Sequence, residues 1–320
     1  MQTAHQTREK SDFHGMIGRS DSMRRVYDLI GRFAGMDNNV LITGETGTGK
    51  ELVARALHAA GPRAKGRMIR VNCAALCESL IESEFFGHTA GAFTDAAGDR
   101  AGYFEAADGG TIFLDEIAEL SPRSQAKLLH VLDRKMFEHV GESQTVGVDV
   151  RIIGATNADL KTYVREGKLR QDFCFRLREF SIGLPPLRDH MEDIPLLADH
   201  FIRLAGSGKK GAITGISHEV RELLMGYAWP GNVRQLKNII TFACAICPSG
   251  ELTTDYLPGG FPESEDRPDA EQRLPRALKR KMLVDALEAN RWNKSRAARW
   301  LGMGRSTLYR KLAEFGITAP

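Results

Sequence analysis

Four short apolar runs, rich in β-branched residues, recur through the first half of the chain. They are Val40–Thr43 (VLIT), Met68–Asn72 (MIRVN), Thr111–Glu116 (TIFLDE) and Val150–Asn157 (VRIIGATN). Runs of this length without polar alternation predict strands covered on both faces. Stretches with helical periodicity, such as ELVARALHAA and SQAKLLHVLD, follow or separate them. This alternation predicts an α/β fold, a parallel sheet whose strand C-termini line a site. Leu184-Pro185-Pro186 breaks the pattern, and the chain then reads as helices: IPLLADHFIRLA, HEVRELLMGYA and VRQLKNIITFACAI. The expected organisation is a disordered lead over 1–13, an α/β domain over 14–184 and a helical lid over 185–257. A Pro-, Gly- and acid-rich linker follows over 258–275, then an all-α module over 276–320.

At 320 residues the chain has room for two or three domains, and its 42% hydrophobic and 27% charged residues are ordinary for a globular protein. No apolar run is long enough to span a bilayer, and the N-terminus lacks the apolar core of a secretory signal. A cytoplasmic location without membrane insertion is expected. The net charge of +3 is uneven: Arg276–Pro320 holds eleven Lys/Arg against three Asp/Glu, a net of +8, which leaves −5 for the rest. A basic tail on a mildly acidic body predicts a nucleic-acid module. Five cysteines in a reducing compartment argue against disulfides. Cys244 and Cys247 form one CxxC pair in a helical run, without a second pair or His at zinc-like spacing, and read as core filler.

The chemistry concentrates at strand ends. Gly44-Glu45-Thr46-Gly47-Thr48-Gly49-Lys50 follows a strand and opens a helix. Glycines let backbone N–H groups curl around phosphates, the helix N-terminus adds positive potential and Lys50 supplies a point charge. The next residue is Glu51 rather than the Ser or Thr that usually touches Mg²⁺. Asp115 and Glu116 end the third run. Adjacent acids there can divide the work, Asp115 holding Mg²⁺ directly or through water and Glu116 orienting the attacking water. Asn157 ends the fourth run and suits a γ-phosphate sensor; Asn72 ends the second, and a strand-end Asn also serves as a backbone cap. Arg170 and Arg176 suit charge neutralisation on a transferring phosphoryl group, or surface ion pairing.

Two further segments stand out. Glu84–Ala96 (EFFGHTAGAFTDA) is aromatic, small and nearly uncharged, a poor fit to a solvated loop and a good one to a protein contact. Asn293–Leu312 reads as helix, Gly-containing turn, helix, with Ala297, Ala298, Leu301, Leu308 and Leu312 inward. That is a helix-turn-helix pattern. Arg305, Ser306, Thr307, Arg310 and Lys311 would face the major groove or phosphates of double-stranded DNA.

This composite resembles the bacterial enhancer-binding ATPases that activate the sigma-54 form of RNA polymerase, from His14 to Ile317. The resemblance implies an AAA+ P-loop ATPase core with a helical lid, plus a C-terminal Fis-type helix-turn-helix domain. It implies ATP and Mg²⁺, and it makes Gly-Lys-Glu at 49–51 the family form of the phosphate loop. It implies that Asn72 pairs with the catalytic Glu116, and that Arg234, in WPGNVRQLKN, contacts nucleotide from the lid. Arg170 and Arg176 become fingers acting in trans, within a hexameric ring of the chain with itself. Gly91-Ala92-Phe93-Thr94-Asp95-Ala96 corresponds to the loop that contacts sigma-54; Asp95 replaces a Gly there, and Asp is among the few residues that tolerate a left-handed turn. Leu278–Leu287 is expected to pair two copies on upstream activator sites. The short stretch ahead of the core resembles stand-alone members, controlled by an inhibitor or partner acting in trans.

Overall fold

The computed structural model describes residues 12–93, 96, 98–206, 213–258 and 261, with Leu287, Lys294 and Leu312 beyond them. The chain divides into two compact units, Met1–Phe261 and Pro262–Pro320. In the second unit Leu287 and Leu312 are buried. The expected DNA-facing residues Arg305, Ser306, Thr307, Arg310 and Lys311 lie outside the described residues.

The first unit is built on five parallel strands: β1 (Val40–Thr43), β2 (Met68–Asn72), β3 (Thr111–Asp115), β4 (Arg151–Thr156) and β5 (Phe180–Gly183). Their order across the sheet is β2-β3-β4-β1-β5. Four match the apolar runs, β3 and β4 stopping just short of Glu116 and Asn157. Strand β5 did not stand out in the sequence, because its four residues FSIG offer too short a pattern. The alternation within each strand feeds two cores. Leu41, Ile112, Leu114 and Ile152 face one side, with Phe85, Phe86, Leu128 and Phe173. Val40, Ile42, Phe113 and Ile153 face the other, with Val26, Ile30, Val53 and Leu57.

Helices that supply these faces include α1 (Asp21–Ala34), α2 (Lys50–Ala59), α3 (Glu78–Phe86), α4 (Pro122–Arg134), α5 (Leu160–Arg165) and α6 (Gln171–Leu177), and the short helix Tyr103–Ala106 adds Phe104. Helix α4 starts sharply because the Ser121 hydroxyl accepts from Ser124 N (3.4 Å) and Pro122 occupies the first turn. A hairpin, Met136–Glu138 with Thr145–Gly147, follows α4.

The far end of the sheet is organised by a buried cation. Arg151 is 1% exposed and donates to the carbonyls of Phe33 (2.7 Å) and Ala34 (3.2 Å) at the end of α1. It also donates to those of Leu57 (3.5 Å) in α2 and Asn38 (3.2 Å). Helix C-termini present unsatisfied carbonyls and partial negative charge, so one guanidinium satisfies two of them together.

After Pro186 the chain forms α7 (Ile194–Gly206), α8 (His218–Gly226) and α9 (Asn232–Ile246) around their own core, which includes Trp229, Leu236, Cys244 and Cys247. The lid is not purely helical: Ile213–Ile216 pairs in parallel with Gly250–Leu252, a ribbon too short to stand out in the sequence. Two expected boundaries shift. Asp12 and Phe13, assigned to the lead, pair with Met16 and Ile17, where Phe13 stacks on Tyr27. Phe261, assigned to the linker, packs 4.9 Å from Tyr227 and 5.9 Å from Trp229, because an aromatic ring gains more from the lid core than from solvent. Buried Asp193 ties the lid base to the start of α1, accepting from Arg19 N (2.7 Å), Ser20 N (3.0 Å) and the Ser20 hydroxyl (2.6 Å).

Arg151→Met is expected to lower the unfolding free energy by about 3 kcal/mol, since it strands buried carbonyls of two helices. The check is the urea midpoint, and an unchanged midpoint would show that those carbonyls find other donors.

Candidate functional site

The C-terminal ends of β1, β3 and β4 converge on one point. The turn from β1 into α2 is the glycine-rich loop, with Gly47 (φ 84°) and Gly49 (φ 102°) in conformations that side chains resist. Lys50, 6% exposed, folds back over this loop. Its Nζ donates to Gly44 O (2.9 Å) and Glu45 O (3.5 Å) and lies 3.5 Å from Glu116 Oε1. Thr48 Oγ1 also donates to Glu45 O (2.8 Å). Glu51 does not stand free to replace a metal-binding hydroxyl: Arg55 (2.7 Å) and Arg70 (2.5 Å) engage it.

Asp115 and Glu116 follow the last buried residues of β3. Glu116 takes the left-handed conformation at φ 52°, a strained choice for its type, which turns the chain off the sheet. Its Oε2 accepts from Asn157 N (3.1 Å), and the Asn157 amide donates to Thr46 Oγ1 (2.9 Å). Phosphate loop, acid and β4 terminus are therefore joined. Burial pushes the Asp115 carboxyl up from its ordinary value, and the adjacent Glu116 charge adds to this, while Lys50 opposes it. Beneath them the Cys73 thiol is pushed up to about 12, first by burial and then by Asp115 and Glu116, which keeps it protonated and unreactive.

Asn72 stands opposite Asp115 in register, yet its side-chain oxygen accepts from Ala74 N (3.0 Å) and caps the following turn. In this conformation Glu116 takes its bonds from Asn157 and Lys50 instead of Asn72. The two candidate finger arginines lie together around α6 and are ion-paired within the chain. Arg170 meets Asp172 (2.7 Å) and Arg176 meets Asp133 (2.7 Å), each arginine nearly half exposed. Fully buried Gln125 fixes this region, accepting from Arg170 N (2.9 Å) and donating to Lys168 O (2.8 Å).

The lid reaches the phosphate loop directly. Arg234 N donates to Gly47 O (3.2 Å), and a Cβ on Gly47 would stand 2.3 Å from Gly231 O. Arg188 and Asn232, at the start of the lid and of α9, both hydrogen-bond Glu45. Neither stood out in the sequence; the only local signal was the Trp229-Pro230-Gly231 turn beside Asn232.

The segment Glu84–Ala96 divides in two. Phe85 and Phe86 belong to α3 and are buried against Phe104, which corrects the expectation that the whole segment serves a protein contact. Each ring gains about 2–3 kcal/mol from burial. His88 and Arg100 then exchange backbone hydrogen bonds (3.0 and 2.9 Å), and Thr89 N donates to Val140 O (3.2 Å). Gly91 N donates to Ala96 O and Ala96 N to Phe93 O, both at 3.0 Å, closing a tight turn. Ala92 is half-buried, and Phe93 is 38% exposed with its ring 4.9 Å from that of His88. Thr94 and Asp95 lie outside the described residues.

A parallel sheet in this order, with a phosphate loop, paired acids and a lid seated on the loop, defines a P-loop domain of the AAA+ class. The profile of the Sigma-54 interaction domain matches residues 16–183, that of the AAA+ ATPase lid domain 188–274, and that of the Fis family of bacterial regulatory proteins 275–315. The chain belongs to the family of sigma-54-dependent transcriptional activators. It is 45% identical over 306 residues to the Nif-specific regulatory protein of Azotobacter vinelandii, covering 93% of this chain and 58% of that protein. It is 43% identical over 301 residues to the transcriptional regulatory protein ZraR of Salmonella typhimurium, covering 93% and 68%. The chain thus spans less than two thirds of the first of these relatives. The crystal structure of NtrX from Brucella abortus in complex with ADP is similar, with a TM-score of 0.72 and 34% identity over 94% of this chain and 70% of that one.

Since burial raises the Asp115 carboxyl, its ionisation works against folding as pH rises through the folded-state value. Asp115→Asn is therefore expected to raise the melting temperature at pH 7. The gain should disappear below about pH 3.9, where the native carboxyl is already neutral. Melting curves across pH check this, and a lower melting temperature at pH 7 would contradict it.

Proposed function

We propose that this protein hydrolyses ATP while bound to upstream DNA and uses the cycle to open promoter complexes of sigma-54 RNA polymerase. The observation that carries this reading is the meeting of Lys50, Asp115 and Glu116 at the phosphate loop, on a chain that also holds the Gly91–Ala96 turn. The NtrX structures with ADP and with ATP support nucleotide binding by the same core.

Each residue then has a task. Backbone N–H groups of the glycine loop and Lys50 hold the phosphates. Asp115 suits Mg²⁺, because a cation relieves the charge that burial and Glu116 make costly there. When bound, Mg²⁺ neutralises charge developing on the phosphate oxygens. Glu116 orients the attacking water, its own carboxylate steadied by Asn157 N. Asn157 reports the γ-phosphate position to Thr46 and Glu116. Asn72 exchanges its Ala74 bond for Glu116 in another nucleotide state. Arg170 and Arg176 leave Asp172 and Asp133 to reach the neighbouring subunit's nucleotide in a hexameric ring. Gly91–Ala96 engages sigma-54, with Phe93 at its tip, and Arg305, Ser306, Thr307, Arg310 and Lys311 hold DNA. The protein would work in the cytoplasm.

The direct test is ATP-dependent open-complex formation in vitro with sigma-54 polymerase, for the wild type and Asp95→Gly. Activity of the wild type supports the reading. Activity confined to Asp95→Gly would mean that the loop has lost its polymerase contact, leaving a DNA-binding regulator whose core is an oligomerisation scaffold. Glu116→Gln is expected to slow hydrolysis about 10²–10⁴-fold while nucleotide still binds. Mixing Glu116→Gln with Arg176→Ala should restore part of the turnover that each lacks alone; no recovery on mixing would rule out fingers acting in trans.

A further inference from the structure

Asn232 opens α9, is 0% exposed and sits at φ 51°, a left-handed position that Asn tolerates better than most residues. Its side-chain amide is fully employed. Nδ2 donates to Glu45 Oε2 (3.1 Å) and to Thr46 O (3.0 Å), and Oδ1 accepts from Leu187 N (2.8 Å). One side chain thus joins the phosphate loop, the entry to the lid and the first turn of α9. Around it the backbones touch: Gly47 packs on Gly231, and Gly47 O holds Arg234 N at 3.2 Å. On the solvent side both terminal guanidinium nitrogens of Arg188 clasp the Glu45 carboxylate, Nη1 at 2.9 Å from Oε2. The Glu45 carboxyl is held below its ordinary value, by the Arg188 hydrogen bond first and the Asn232 bond after it.

Helix α9 cannot slide against the phosphate loop without breaking the bonds of Asn232 to Glu45 and Thr46 and that of Arg234 N to Gly47 O together. The guanidinium of Arg234 extends from a backbone fixed to the same loop. Glu45 and Arg188 are each about 40% exposed or more, 41% and 45%, so their ion pair is screened and secondary.

We propose that Asn232 is a positioning residue of the nucleotide site. It locks the start of α9, and with it Arg234, to the phosphate loop, so that a change in the loop is transmitted to the lid. The Glu45–Arg188 pair is its outer clasp. This inference rests on the ATP-hydrolysing reading of the site for its effect on turnover, but not for the contact itself.

The test uses the 320-residue chain with Asn232→Asp, Glu45→Gln and the two combined. Asn232→Asp keeps the shape and the acceptor for Leu187 N, but it turns the donor facing Glu45 and Thr46 into an acceptor. Adding Glu45→Gln restores one donor–acceptor pair with reversed polarity. Asn232→Asp is expected to lower kcat per folded molecule about 10²-fold, the cost of misplacing a contacting group by about 1 Å, with a smaller change in KM for ATP. Glu45→Gln alone should cost no more than about fivefold. The combined variant should recover at least about tenfold of the loss. In parallel, hydrogen exchange of the Arg234 amide, which is bonded to Gly47 O, should quicken in Asn232→Asp and slow again in the combined variant.

A merely structural seam would lower the folded fraction and leave kcat per folded molecule intact, with no recovery from the reversed pair; that result overturns the proposal. A wild type without ATP turnover would instead refute the hydrolytic reading. The exchange measurement then decides the latch alone: a quickened and restored Arg234 amide upholds it, and an unchanged one rejects it.

Discussion

The site end of the sheet depends on one nearly dry ammonium group. Lys50 has exchanged water for two loop carbonyls and the neighbourhood of Glu116. A buried cation is costly unless compensated, so the loop closes around it and the acid stands close by. Thr48 and the glycines complete the curl, and Asn157 connects the loop to the acid from the adjoining strand. Thr48 shares the Glu45 carbonyl with Lys50 and Asn157 shares Glu116 with it, which links the loop, the acid and the end of β4.

The same region carries the unfavourable terms. Glu116, Trp229 and Asn232 all adopt left-handed backbone conformations, and each sits where the chain must turn sharply at the site or beside it. Asp115 carries a charge that its surroundings disfavour. The rest of the unit supplies the compensation. Two cores clamp the sheet, the Phe85–Phe86–Phe104 cluster anchors the chain ahead of the Gly91–Ala96 turn, and Arg151 ties two helix ends together at the far edge. Stability resides in the body of the sheet, while these three turns stand at the end of β3 and at the start of α9.

Much of the site was legible because its chemistry is local in sequence. A glycine loop between strand and helix, or two acids after four apolar residues, keeps its meaning wherever the strand lies in the sheet. Strands β1 to β4 were equally visible, since burial on both faces leaves unbroken apolar runs. Strand β5, the hairpin after α4 and the small ribbon in the lid were not, because three or four residues hold too little periodicity. The expected loop Glu84–Ala96 misled in its first half, where Phe85 and Phe86 serve the core rather than a partner. Asn72 and the arginines 170 and 176 take one of the alternatives that their residue types allowed, capping for the asparagine and ion pairing for the arginines.

The chain by itself determined the class of fold, the phosphate loop, the acids and the family, because each follows from residue types at short spacing. Only the tertiary structure decided which distant groups meet. Asn232 reaches Glu45 across 187 positions, and Arg151 reaches Ala34 across 117. An Asn before a helix or an Arg at the start of a strand has no meaning in isolation. Each acquires one only when packing withdraws water and leaves specific carbonyls and carboxylates in need of a donor.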